Sequence, residues 1–246
     1  VLKVETLPVP VPKENQVLIR VKAFGLNRSE MFTRQGHSLR DKFPRILGIE
    51  AVGLVEETTS PRCKKGDIVA TCMGGMGLDF DGGYAEYTCV PATQLQVIKT
   101  ELPWEILGTM PEMLQTAYGS VFRALCLARA LPDGFDKALE LVGTTTLLDS
   151  LKCVKVGICC MTGVVGNSWW IDKFVPMEAV PSGVCLTTYS GGPNEFMATP
   201  LEERAQQIKA GKMRVNIGKT FHLDQIVEAH QCIKTNQAGE KIVALP

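Results

Sequence analysis

V-G-I-C-C-M-T-G-V-V-G-N, residues 156–167, is an apolar run that ends on a glycine-punctuated turn. Its first part, Val156–Thr162, is short and without alternation, which reads as a strand buried on both faces. On its N-terminal side, Lys137–Val142 is a second β-like run and Thr146–Lys152 has helical composition. On the other side Val184–Tyr189 (V-C-L-T-T-Y) is another strand. Apolar strands alternating with helices indicate a parallel sheet, and hence an α/β lobe.

Upstream of Met110 the texture differs. In Q-V-L-I-R-V-K-A-F-G (16–25), Val17, Ile19, Val21 and Ala23 alternate against Arg20 and Lys22, the pattern of a half-buried strand. Gly48–Glu56, Gly66–Thr71, Gly83–Val90 and Leu95–Lys99 come next as short strands separated by glycine and proline, which suits a small antiparallel barrel or sandwich. Pro111 fits the first turn of a helix running to Ala128. Thr199-Pro200-Leu201-Glu202 reads as a capping box opening a helix that ends near Gly211. A last helix is expected from Asp224 to about Asn236, and Lys241–Leu245 as a closing strand. The expected domains are 1–110, 111–213 and a return to the first over 214–246.

The chain has 246 residues and is 45% hydrophobic, enough for a sizeable core. Lys plus Arg equals Asp plus Glu at 26 each, so no net field favours nucleic acid or an anionic membrane. No run reaches the roughly 20 apolar residues of a membrane helix. The start, with Pro8, Pro10, Pro12 and several charges, is unlike a signal peptide. Nine cysteines form an odd set without a C-x-x-C pair, which argues against a disulfide framework and a zinc ribbon and for a reduced, cytoplasmic setting. His37, His222 and His230 match no metal or hydrolytic spacing, and there is no G-x-S-x-G elbow.

Six segments then carry a resemblance: G-L-N-R-S-E (25–30), L-G-I-E-A-V-G (47–53), K-G-D-I-V (65–69), G-G-Y-A-E-Y (82–87), P-E-M-L-Q-T-A-Y (111–118) and G-E-K-I-V-A-L-P (239–246). In this order they resemble the zinc-free quinone oxidoreductase (zeta-crystallin-like) branch of the medium-chain dehydrogenase/reductase family. The resemblance implies a GroES-like β-barrel lobe beside a Rossmann-type parallel sheet, with NADPH as cofactor and a small apolar carbonyl or enone as substrate. Zinc members place Cys where Asn27 stands and His where Ile49 stands, and an amide with an isoleucine does not replace thiolate and imidazole.

By the same resemblance, Asn27 and Tyr118 are the candidate catalytic residues, with Met31, Tyr84, Thr116, Trp169 and Trp170 around the substrate. Val142, Gly143, Gly163, Asn167 and Lys241 would meet the nicotinamide half of the cofactor, the first four from loops at strand C-termini where open α/β sheets bind ligands. Asn27 has a second reading as a stabiliser of the turn after the first strand. The resemblance also implies a homodimer through Val184–Tyr189, an apolar edge prone to aggregation if left open.

One part of the family pattern is missing. Only the eleven residues Ala128–Ala138 separate the linker helix from Leu139, whereas a βαβ unit takes about 30. No G-x-G-x-x-G occurs there, so the helix N-terminus that would cradle pyrophosphate is absent, and Arg129 is the one base before Lys137. The sequence therefore leaves three readings open: a reductase with impaired NADPH binding; a non-redox catalyst such as an isomerase, cyclase or dehydratase using the remaining cleft; or a non-catalytic dimerising protein or splice form.

Overall fold

A computed structural model describes residues 2–37, 42–125 and 135–246. Arg129 and the expected end of the linker helix at Ala128 lie outside the described residues. The chain divides into two compact units, residues 1–115 with 192–246, and residues 116–191.

The first unit is built on β1 (Gln16–Leu26), β2 (Glu50–Thr58), β3 (Ile68–Cys72), β4 (Tyr87–Pro91), β5 (Leu95–Val97), β9 (Ile217–His222) and β10 (Lys241–Leu245). The sheet order is β5-β3-β2-β1-β10-β9, with β4 also paired to β1. β1 is thus central: one edge pairs with β2, the other with β4 over its first half and β10 over its last residues. That position explains why the expected half-buried alternation is incomplete. Leu18, Phe24 and Leu26 are buried along with Val17, Ile19, Val21 and Ala23, and the register against β2 shifts between Leu18 and Ile19 and between Val21 and Ala23. Gly53 is required in β2, since a Cβ there would lie 2.2 Å from the Arg20 carbonyl oxygen.

Three helices pack into this core: α2 (Trp104–Gly108), the start of α3 (Met110–Tyr118) and α7 (Leu201–Lys209), beside the short α6 (Pro193–Met197). Phe196 and Leu201 are fully buried against Ile98, Leu107 and Val243. The Gln96 side chain ties them down by donating to the carbonyls of Phe196 (2.5 Å) and Thr199 (3.0 Å). This packing returns the chain to the first unit at residue 192, earlier than the boundary at 213 read from sequence. The capping box at Thr199 does not form. The Thr199 hydroxyl donates to the Glu195 carbonyl, Pro200 is the cap residue, and Glu202 accepts the Lys99 N–H instead.

The second unit holds the parallel sheet, β6 (Lys137–Glu140), β7 (Gly157–Met161) and β8 (Val184–Thr188), in the order β6-β7-β8. α4 (Leu147–Cys153) covers it with Leu147 and Leu151 packed on Cys159 and Val184. Both outer strands are edges of this three-stranded sheet among the described residues. The linker helix continues beyond Tyr118 as a π-helical segment, Gly119–Ala124. No helix among the described residues is long and apolar enough to cross a membrane.

Candidate functional site

In the first unit the site grows from the end of β1. Asn27 precedes α1 (Arg28–Arg34), and Glu30 in its first turn accepts the Asn27 backbone N–H at 2.9 Å, one half of a capping box. Glu30 also accepts the Ile49 N–H at 3.1 Å, tying α1 to the start of β2. From β2, Glu50 is fully buried and accepts three donors: the Asn27 amide (2.9 Å), the Lys241 ammonium from β10 (2.8 Å) and the Glu112 backbone N–H (2.9 Å). Lys241 also donates to the Asn27 amide oxygen at 2.6 Å and lies 3.9 Å from the Glu112 carboxylate. Gly25 makes room for this pair: a Cβ there would lie 2.2 Å from Glu50 Oε1 and 2.5 Å from Lys241 Cε.

The electrostatics reflect burial of one cation among several acids. Burial raises the Glu30 carboxyl to about 7, with a further push from Glu50, against the Ile49 N–H and Lys241. Burial alone would lower Lys241, but Glu50, Glu112 and Glu30 outweigh it and hold the ammonium above its ordinary range. Glu50 and Lys241 form the ion pair, and Glu30 is the surplus acid that retains a proton near neutrality.

Several expected site residues are engaged or buried within the protein itself. Both ends of the Asn27 amide are engaged by Lys241 and Glu50, so the geometry favours the turn-stabilising reading over catalysis. Lys241, expected at the cofactor, is drawn inward by Glu50. Met31 is 2% exposed, and Tyr84 is buried with its ring stacked on Phe24 at 4.8 Å. Both are core residues in this structure, because α1 and the loop before β4 turn their apolar side chains inward.

In the second unit the loops after β6 and β7 meet, bringing Val142, Gly143, Gly163 and Asn167 together. The Val165 N–H donates to the Leu141 carbonyl (3.3 Å) and the Gly166 N–H to the Val142 carbonyl (2.8 Å). A Cβ on Gly163 would lie 2.0 Å from the Leu141 carbonyl oxygen, so the loops approach as closely as glycine permits. Glu140 organises the first loop. Its Oε1 accepts the N–H groups of Val142 (2.7 Å) and Gly143 (3.0 Å) and the Thr146 hydroxyl (3.0 Å), and Ser150 donates to Oε2. The backbone N–H groups of Val142 and Gly143, two residues expected near a cofactor, are thus held by Glu140. Burial would raise this carboxyl, but the four hydrogen bonds prevail and hold it below the usual carboxylate range.

Trp169 and Trp170 are exposed, Trp170 at 72%, while Thr116 and Tyr118 are at the start of this unit, with Tyr118 tilted against Phe122 at 5.0 Å. Sequence reading alone misses Glu30, Glu50 and Glu140. Each is an acid within an apolar motif already in view, Glu30 in the first turn of α1, Glu50 in β2 and Glu140 at the end of β6, and that is the available signal.

His230, in α8 (Ile226–Lys234), is 2% exposed, and burial beside the Arg34 charge lowers it to about 4. Its ordinary value is 6.5, so an unfolded chain takes up a proton there first, and its contribution falls as pH drops from 6.5 towards 4. Glu30 has the opposite sign: raised from 4.5 to about 7, its contribution is complete below 4.5 and is lost as pH rises through 7. Each is worth up to about 3 kcal/mol. We expect the two slopes to offset in the intact chain. Urea melts across this range should show stability rising with pH in Glu30→Gln and falling with pH in His230→Gln. Parallel slopes in the two variants would contradict the assignment.

Comparison with known proteins places these features in a family. Residues 13–101 match the alcohol dehydrogenase GroES-like domain, and residues 118–243 match the zinc-binding dehydrogenase domain. A NAD-dependent alcohol dehydrogenase of Sulfurisphaera tokodaii is 35% identical over 121 residues, covering 37% of this chain and 35% of that protein. A quinone oxidoreductase of Lama guanicoe is 32% identical over 130 residues, covering 51% of this chain and 38% of that protein. The matched stretch thus spans little more than a third of either relative. The crystal structure of Escherichia coli quinone oxidoreductase complexed with NADPH superposes with a TM-score of 0.81 at 15% identity, covering 99% of this chain and 95% of that one, a likeness of fold.

Proposed function

Because the chain belongs to the zinc-binding dehydrogenase family, we propose that it is a zinc-free, quinone-oxidoreductase-type protein for small apolar carbonyls or enones, with impaired NADPH binding. One observation carries the reading: in the loop after β6, the Val142 and Gly143 N–H groups both donate to Glu140. Beyond β6 no further strand pairs with the sheet among the described residues. The close approach at Gly143 and Gly163 brings together the two loops that the resemblance assigns to the nicotinamide side. The phosphates do not fit, because the sequence before β6 supplies no glycine-rich turn opening a helix.

Zinc does not fit either. Asn27 and Ile49 stand at the ligand positions of zinc members, and the Lys241 ammonium lies 2.6 Å from the Asn27 oxygen, where a second cation would be repelled. Among the described residues no three His, Cys, Asp or Glu side chains group to hold a metal.

The test is NADPH-dependent reduction of a para-quinone and of an α,β-unsaturated aldehyde. Turnover should rise with NADPH without saturating at micromolar concentration. Saturation in that range would contradict the reading.

A second reading, a non-catalytic dimerising protein, is favoured by exposed apolar side chains in the second unit: Trp170 (72%), Phe135 (73%) and Met177 (93%). Complete absence of turnover would favour it. Under either reading, the open β8 edge is proposed to pair with a second copy of the chain. Light scattering at tens of micromolar, where a modest interface forms, should report a dimer, and a monomer would count against that pairing.

A further inference from the structure

The sheet of the first unit ends on β5 at one side and on β9 at the other. β5 is tied to the short helices beside it, by Gln96 on the Phe196 and Thr199 carbonyls and by the Lys99 N–H on Glu202. β9 pairs with β10 alone among the described residues, so its other edge is open. The open edge begins before the strand does. From residue 212 to 217 exposure alternates: Lys212, Arg214 and Asn216 are exposed, while Met213, Val215 and Ile217 are half-buried. Met213 and Ile217 pack on the core of the unit. This is the two-residue period of a strand with one face on a core. Yet Arg214 and Val215 form no backbone hydrogen bond among the described residues.

The edge is also basic. Between Glu203 and Asp224 the chain has Arg204, Lys209, Lys212, Arg214 and Lys219 and no acid. Arg204 and Lys209 pair with Glu203 and Glu101. Lys212, Arg214 and Lys219 are exposed and form no ion pair among the described residues. Two residues of extended chain set Lys212 and Arg214 about 7 Å apart, the spacing of alternate side chains on a neighbouring strand.

An open edge offers N–H and C=O groups to an extended chain, and charge selects which chain takes them. The β9 edge of a second copy brings the same cations, and like charges opposed across a strand pair destabilise it. A nucleic-acid backbone meets the cations, but its phosphates only accept and leave the carbonyls of the edge unmatched. An acidic strand satisfies both. We propose that the edge from Lys212 to Phe221 binds an extended acidic peptide of a partner protein, added as a strand beside β9, with carboxylates at alternate positions on Lys212 and Arg214. The site lies wholly in the first unit, so it rests neither on NADPH binding nor on pairing through β8.

The test is fluorescence anisotropy of a labelled peptide, Thr-Glu-Val-Glu-Val-Glu-Thr, titrated with the full chain at low ionic strength. Saturation is expected with a dissociation constant of about 10–100 μM, rising as salt screens the exposed charges. The same peptide with Gln at each Glu should bind at least about tenfold more weakly. Lys212→Glu combined with Arg214→Glu should cause a similar loss for the acidic peptide. Its melting temperature should be unchanged, because both side chains are exposed. Amide hydrogen exchange separates strand addition from attraction of charge alone: residues 214–221 should gain protection when the peptide is bound. Absence of saturation, affinity that survives the charge reversal, or binding without that protection would overturn the proposal. So would equal affinity for a ten-nucleotide oligothymidylate, the mark of a general polyanion surface.

Discussion

Lys241→Met is expected to destabilise the first unit by about 3–5 kcal/mol, the cost of removing one partner from a buried ion pair. The loss arises mainly at Glu50, which is fully buried and would be left without its cationic partner, with only the Asn27 amide and the Glu112 N–H as donors. Lys241→Met combined with Glu50→Gln should recover much of the loss, because a neutral amide in that position leaves no unpaired charge. Chemical denaturation of the three proteins checks this. A double variant no more stable than Lys241→Met would show that the pair contributes chiefly through packing.

Glu140→Ala is expected to cost about 3 kcal/mol and to loosen the loop after β6. Two backbone N–H groups and two hydroxyls lose their acceptor together, and each buried orphan costs about 1–3 kcal/mol unless water reaches it. Because the carboxyl is held below its ordinary range, its contribution is present above the ordinary carboxylate value and is lost as pH falls through the lowered one. Amide hydrogen exchange at Val142 and Gly143 reads the local effect: protection should collapse in Glu140→Ala while β1 and β2 stay protected. Unchanged protection would mean that the contacts with residues 163–168 hold the loop without Glu140.

The architecture is legible where periodicity and composition agree. The apolar run at 156–162 is β7, its neighbours are β6 and β8, and Lys241–Leu245 is β10 over the same residues. Elements whose pattern is weak or brief escape a reading of the sequence. β9, I-G-K-T-F-H, has no clear alternation and is fixed by parallel pairing to β10. α1 has seven residues, and its N-terminal signal, Asn27 and then Glu30 three residues later, lies inside a motif that also reads as chemistry. The same ambiguity obscures the site. Asn27 and Lys241 look like groups facing a ligand because polar residues in loops and at strand starts often do. Their engagement with Glu50 depends on strands distant in sequence meeting at β1, which no local pattern contains.

The proposed impairment of NADPH binding is tested most directly by a fluorescence titration of the purified full chain with NADPH at physiological ionic strength. The backbone cradle and helix dipole at the pyrophosphate are each an effect of roughly 1–3 kcal/mol, and without them the dissociation constant should lie above about 100 μM. Saturable binding with a low-micromolar constant would contradict this reading of the chain.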